Sequence, residues 1–224
     1  MRQPDARLII FDNDGTLVPS HEVANPAIQR AFVRFCAARG LDLAAPTDER
    51  IRELTGLPGE AFYAALLPDS RADLAAELRS SCLDEEVAAM SVAARFYPGL
   101  ESMLLTLKSR GIRLAVATHG GERYVGAVAK RLDYPSIFDR VFYHAFQGMT
   151  SKAEMARRAM TDLSESNALF VGDRRADRDA AREAGIPFIG CSYGYGADGE
   201  IDGADWTVES SEELARLFLS NRHL

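Results

Sequence analysis

The sequence predicts an α/β fold, a doubly wound parallel sheet into which an α-helical domain is inserted near the start. Three observations carry that prediction. Short apolar runs recur, each followed by a turn and a helix-like stretch, the pattern of a parallel sheet covered on both faces. One long interval, 19–96, breaks the rhythm with amphipathic stretches rich in alanine, leucine and arginine and no clear strand. Residues able to do chemistry stand directly after the apolar runs, at the strand ends beyond which open parallel sheets bind ligands.

The expected strands are 8–11, 114–117, 141–143, 168–171, 188–190 and 206–208. Helical patterns lie between them around 100–110, 122–132, 152–163, 176–184 and 211–220. Within the inserted interval, Asn25-Pro26 fits a helix start, because proline is tolerated in a first turn, and Gly40 and Gly56 fit helix ends. Tyr97-Pro98-Gly99 marks the return to the sheet. The expected division is a discontinuous core, 1–18 and 97–224, carrying an inserted helical domain, 19–96.

With 224 residues, the chain is long enough for one sizeable core carrying a smaller unit. A net charge of −7 argues against a general nucleic-acid binder, which would show a basic face, so an anionic ligand needs a local positive device. Cys36, Cys82 and Cys191 have neither metal-ligand nor CxxC spacing and read as reduced core thiols of a cytoplasmic protein. The start, 1–6, is polar, and the apolar run after it is too short to enter a membrane. Only three lysines occur, Lys108, Lys130 and Lys152, so each position carries weight.

Four segments carry the chemistry. In Phe11-Asp12-Asn13-Asp14-Gly15-Thr16-Leu17, two carboxylates two residues apart on an extended segment can face one ligand. Like unit charges about 4 Å apart repel by roughly 4 kcal/mol at an effective dielectric near 20, so setting both beside a phosphate requires a cation or a proton. Either serves phosphoryl transfer, since a cation screens a nucleophilic carboxylate and a proton on the second acid is available to the leaving alkoxide. A calcium loop would need oxygen ligands at alternate positions, and residues 15–20 do not supply them.

Thr118 closes the second strand, where a hydroxyl and turn amides can cradle a phosphate, although a threonine there is more often a helix cap. Lys152, after Gly148-Met149-Thr150-Ser151, begins a helix on the same rim and can neutralise a transferring phosphoryl group. Lys108 and Lys130 sit late in helices, where cations suit the dipole. In Val171-Gly172-Asp173-Arg174-Arg175-Ala176-Asp177, Asp173 occupies the rim turn and can complete a metal site with Asp12, while Asp177 can brace the loop.

Taken in this order, the four segments resemble the haloacid dehalogenase superfamily of phosphohydrolases, over nearly the whole chain. The likeness rests on Asp-Xaa-Asp-Gly-Thr-Leu, the inserted helical cap, Tyr-Pro-Gly at its end and Gly-Asp-Xaa-Xaa-Xaa-Asp near the finish. The closing stretch, with Ala184-Gly185-Ile186-Pro187 and Tyr193-Gly194-Tyr195-Gly196, is similar to the phosphoglycolate phosphatase branch. The resemblance implies a Rossmann-like core, Asp12 as nucleophile, Asp14 as general acid and base, and Thr118 and Lys152 on the phosphoryl group. It also implies Mg2+ held by Asp12, the backbone carbonyl of Asp14 and Asp173, and a small phosphorylated metabolite as substrate. Asn13 and His119 depart from the family pattern without removing a catalytic group.

Several rivals fall on residues. A dehalogenase usually lacks the second carboxylate, which Asp14 supplies. A phosphonatase of this fold needs a cap lysine, and 19–96 contains none. A phosphomutase is less favoured because Ala24, not histidine, holds the hinge position. Gly194-Tyr195-Gly196-Ala197-Asp198-Gly199 fits GxGxxG but lacks the helix and acidic partner of a dinucleotide site, so it reads as a loop. A receiver domain places its acidic pair and acceptor aspartate on different strands, unlike Asp12 and Asp14. A non-catalytic member of the same fold remains the alternative that turnover measurements decide.

Overall fold

The structure is a computed structural model that describes residues 4–57 and 59–219. Six strands form one parallel sheet: β1 (Leu8–Phe11), β2 (Arg113–Ala117), β3 (Arg140–Phe142), β4 (Ala168–Gly172), β5 (Phe188–Cys191) and β6 (Trp206–Val208). Their order across the sheet is β3-β2-β1-β4-β5-β6. The chain therefore winds outward from β1 in both directions, and the order reverses between β1 and β4, the switch point at whose carboxyl ends such sheets bind ligands.

Why these segments make buried parallel strands follows from their alternation. Ile9, Phe11, Leu114, Val116, Leu169 and Val171 enter one hydrophobic cluster, while Leu8, Ile10, Ala115, Ala117, Ala168 and Phe170 enter the other. Both faces are apolar, so every position of β1 and β4 is buried. Helices α8 (Lys152–Asp162) and α9 (Arg175–Ala184) cover the second face, and α5 (Leu100–Ser109), α6 (Glu122–Arg131) and α10 (Ser211–Leu219) contribute to the first. Position 220, expected to end the last helix, lies outside the described residues.

Four α-helices precede α5: α1 (His21–Ala37), α2 (Asp48–Leu54), α3 (Gly59–Ala64) and α4 (Ala75–Ala93). No strand occurs there among the described residues. The chain leaves and re-enters the sheet at neighbouring points, because Tyr97 N donates to Leu17 O at 2.9 Å. Gly40 and Gly56 follow α1 and α2 with φ of +63° and +104°, backbone conformations that close helices.

Asn25-Pro26 is not the start of α1. The helix begins at His21, and Pro26 lies inside it. The true start is set by contacts distant in sequence: the Tyr195 hydroxyl accepts from His21 N at 3.0 Å. A short helix, α7 (Tyr134–Ile137), was not expected; it presents Tyr134, fully buried, to the segment after β1. The third strand runs one residue earlier than expected, and β4 and β5 each extend one residue further.

Candidate active site

Asp12 leaves β1 at the switch point and is buried. Lys152, the first residue of α8, reaches the same place. Its Nζ stands 2.7 Å from Asp12 Oδ1 and 2.6 Å from Asp177 Oδ1, and all three side chains are nearly inaccessible. The turn into α8 is fixed locally by a capping box, with Ser151 Oγ accepting from Glu154 N and Glu154 Oε2 accepting from Ser151 N. Against Asp12 the ammonium acts as an ionic neighbour, since among the described residues Oδ1 takes no aligned hydrogen bond.

Asp173 follows β4 and is held on both oxygens: Thr16 Oγ1 donates to Oδ1 at 2.9 Å and Tyr195 N to Oδ2 at 2.7 Å. Asp177, one turn into α9, accepts Asp173 N and Arg174 N on Oδ2. Carboxylate oxygens of Asp12, Asp173 and Asp177 all lie within 4.8 Å of one another. Three buried carboxylates against one ammonium leave two negative charges uncompensated, and such an excess calls for a hard cation or for protons. Asp177 is tied to the Lys152 ammonium and two turn amides, whereas each Asp173 oxygen takes a single neutral donor and keeps a lone pair, so Asp12 and Asp173 are the side chains better placed to meet an ion. The all-oxygen donor set suits Mg2+.

The charge crowding shows in acidity. Burial pushes the Asp12 carboxyl well above its ordinary range, with Asp177 and Asp173 adding to the rise and Lys152 opposing it. Burial and the Asp177 charge push Asp173 up to about 7. Burial alone would lower Lys152, but the Asp12 and Asp177 carboxylates win and hold its pKa above the usual lysine value.

Asp14 does not join this cluster with its side chain. Half-buried, its Oδ1 accepts the Tyr124 hydroxyl at 2.6 Å. Burial and the Asp14 charge keep that phenol protonated, hence a donor. Asp12, Asp14, Thr118 and Lys152 line one cavity of about 400 Å³, a volume suited to a small ligand. Thr118, buried at the end of β2, accepts Gly120 N on its hydroxyl at 3.0 Å, which leaves the hydroxyl proton to be donated elsewhere.

Several contacts around the site were not foreseen. Arg174 donates to the backbone carbonyls of Arg52, Glu53 and Thr55 at the end of α2, and its Nε pairs with Glu200 at 2.9 Å. His119 Nδ1 lies 2.6 Å from Gly56 O; a carbonyl only accepts, so Nδ1 carries the proton. Burial and nearby Lys152 lower this imidazole to about 4, keeping it neutral. Tyr134 donates to Asn13 Oδ1 at 2.7 Å, while the buried Asn13 Nδ2 finds no partner among the described residues. Arg52 itself is exposed, a solvated helix charge.

The glycines of the loop after β5 carry part of the family resemblance and read as loop residues, and they make room for Asp173. A Cβ on Gly194 would stand 2.3 Å from Asp173 Cβ, and one on Gly196 2.1 Å from Asp173 O. The Gly-Xaa-Gly spacing was the available signal, since close backbone approach to another group is what glycine permits.

Known proteins are similar to this chain in sequence and fold. Residues 6–185 match the family of haloacid dehalogenase-like hydrolases. A phosphoglycolate phosphatase of Pseudomonas fluorescens is 31% identical over 201 residues, covering 84% of this chain and 70% of that protein. One from Mannheimia succiniciproducens is 28% identical, covering 94% and 97% respectively. The crystal structure of CbbY from Rhodobacter sphaeroides in complex with phosphate superposes with a TM-score of 0.76 at 27% identity, over 94% of this chain and 96% of that one. The chain belongs to the haloacid dehalogenase-like hydrolases and is similar to their phosphatases.

Proposed function

We propose that the protein is a Mg2+-dependent phosphatase that hydrolyses a small phosphate monoester through a phosphorylated Asp12. The observation that carries this reading is the contact of Lys152 with both Asp12 and Asp177 at the floor of a cavity that also presents Asp14 and Thr118. Similarity to phosphoglycolate phosphatases supports a short phosphorylated substrate.

In this reading Asp12 attacks phosphorus, and an acyl phosphate forms as the ester oxygen departs. Asp14, oriented by Tyr124, gives that oxygen a proton and then takes one from the water that attacks the acyl phosphate, which frees Asp12 and releases inorganic phosphate. Lys152 and the Thr118 hydroxyl hold phosphoryl oxygens as charge shifts onto them. Asp12, the Asp14 carbonyl and Asp173 would hold Mg2+, whose charge screens the carboxylates from the phosphate. Asp177 fixes Lys152 and the turn amides of Asp173 and Arg174.

Residues 19–96 serve, in the same reading, as the cap over the site, fastened to the core by Arg174 and His119 through carbonyls at 52–56. The three free, buried thiols support a reducing, cytoplasmic setting, and no described helix is long and apolar enough to cross a membrane. The test is phosphate release from a panel of sugar phosphates, nucleotides, phosphoglycolate and pyrophosphate, with Mg2+ and with chelator. Turnover that needs the metal and vanishes in Asp12→Asn supports the reading; metal-free turnover or an active Asp12→Asn contradicts it.

A further inference from the structure

The cavity in front of Asp12 and Asp14 runs outward against α4, which turns Arg79, Leu83 and Glu86 toward it. Spacings of four and three residues set these on one helical face. Arg79, at one end, is exposed and lies beside Gly59. Glu86, two turns away, is 7% exposed and belongs to the reaction end: the Asp14 charge acts on it, and its own charge acts on Tyr124, which holds Asp14. Among the described residues, Glu86 meets only the Tyr63 hydroxyl, donated to its Oε1, and no cation pairs with it. Ile28, Phe62 and Leu83 line the same cavity.

Buried charges are normally paired, so an acid left with one neutral donor in a ligand cavity marks a place where the ligand completes the bonding. We infer that Glu86 determines substrate choice, accepting a hydrogen bond from a hydroxyl on the carbon skeleton next to the phosphate and turning away substrates with a carboxylate at that place. The inference rests on the phosphatase reading above and departs from the substrate named for the curated relatives. Burial pushes the Glu86 carboxyl up to about 7, although the Tyr63 bond opposes this. Above that pH, where Glu86 is ionised, a substrate carboxylate set against it would stand unscreened, whereas a hydroxyl would donate to it. Arg79, exposed, stands two helical turns from Glu86 on the same face.

The test compares hydroxyethyl phosphate with phosphoglycolate, which differ in a hydroxymethyl group against a carboxylate, in wild type and Glu86→Gln. Wild type is expected to favour hydroxyethyl phosphate in kcat/KM by about tenfold or more, and Glu86→Gln to bring the two within about threefold by raising phosphoglycolate turnover. A purely structural Glu86 would shift both substrates together. An unchanged ratio in Glu86→Gln, or wild-type preference for phosphoglycolate, overturns the inference. The wild-type ratio decides even if the variant fails to fold. Phosphate release from p-nitrophenyl phosphate is measured alongside: its absence overturns the phosphatase reading itself, whereas its presence without the expected preference removes only the role of Glu86.

Discussion

Lys152 Nζ sits 2.7 Å from Asp12 Oδ1 inside the protein, with side chains 2% and 5% exposed, and is held there by Asp177 at 2.6 Å. Removing one member of such a group leaves the other charges without compensation, a loss of about 3–5 kcal/mol in stability. Lys152→Met is therefore expected to lower the melting temperature and, where it folds, to cut kcat by about 10²–10³, the cost of losing a donor to the transferring group. Thermal melts with steady-state kinetics on the same preparation check both.

The metal requirement should respond to Asp173. Asp173→Asn keeps the size and the acceptor oxygen toward Thr16 but removes a charge, so the Mg2+ concentration for half-maximal activity is expected to rise at least about tenfold. Mg2+ titration of activity, and of binding by calorimetry, measures it.

Without metal, stability should depend on pH in a set direction. Folded Asp12 and Asp173 have carboxyls raised above their unfolded values, Asp173 to about 7. Between the unfolded carboxylate range and about 7 the folded state binds more protons, so its stability falls as pH rises through that window. Melts in chelator are expected to show this decline from pH 4 to 7, and added Mg2+ should stabilise more at the upper end than at the lower.

Gly194→Ala places a methyl 2.3 Å from Asp173 Cβ. Relief requires the loop or Asp173 to move, at about 1–3 kcal/mol for overpacking. The expected outcome is a lower melting temperature together with a raised Mg2+ concentration for half-maximal activity, as for Asp173→Asn, whereas Gly126→Ala, with open space at its Cβ, is expected to be near neutral.

Tyr124→Phe deletes the 2.6 Å bond to Asp14 and nothing else in the described network. If Tyr124 orients the acid, kcat should fall about tenfold for esters with poor leaving groups and much less for p-nitrophenyl phosphate, whose leaving group needs little protonation.

How legible was this in the sequence? The sheet was, because alternating positions in Leu8–Phe11 and Ala168–Gly172 are apolar on both faces and few other folds accept such runs. The meeting of Asp12, Lys152 and Asp173 could be read because strand ends of a parallel sheet converge on one rim. Contacts made by chance of packing were not. Tyr124 and Tyr134 look like ordinary helix aromatics until their hydroxyls meet Asp14 and Asn13 across more than a hundred residues. The start of α1 was misread for the same reason, since Tyr195 lies 174 residues from the His21 amide it caps. Glu86 was hidden among many surface acids, and only burial beside Tyr63 distinguishes it.

The central claim is that Asp12 becomes phosphorylated. Protein mixed with radiolabelled p-nitrophenyl phosphate and Mg2+, quenched in acid within one turnover and digested, should carry the label on the peptide containing Asp12, and Asp12→Asn should carry none. Wild-type phosphate release with no label on the protein, or with label on another residue, would contradict the account.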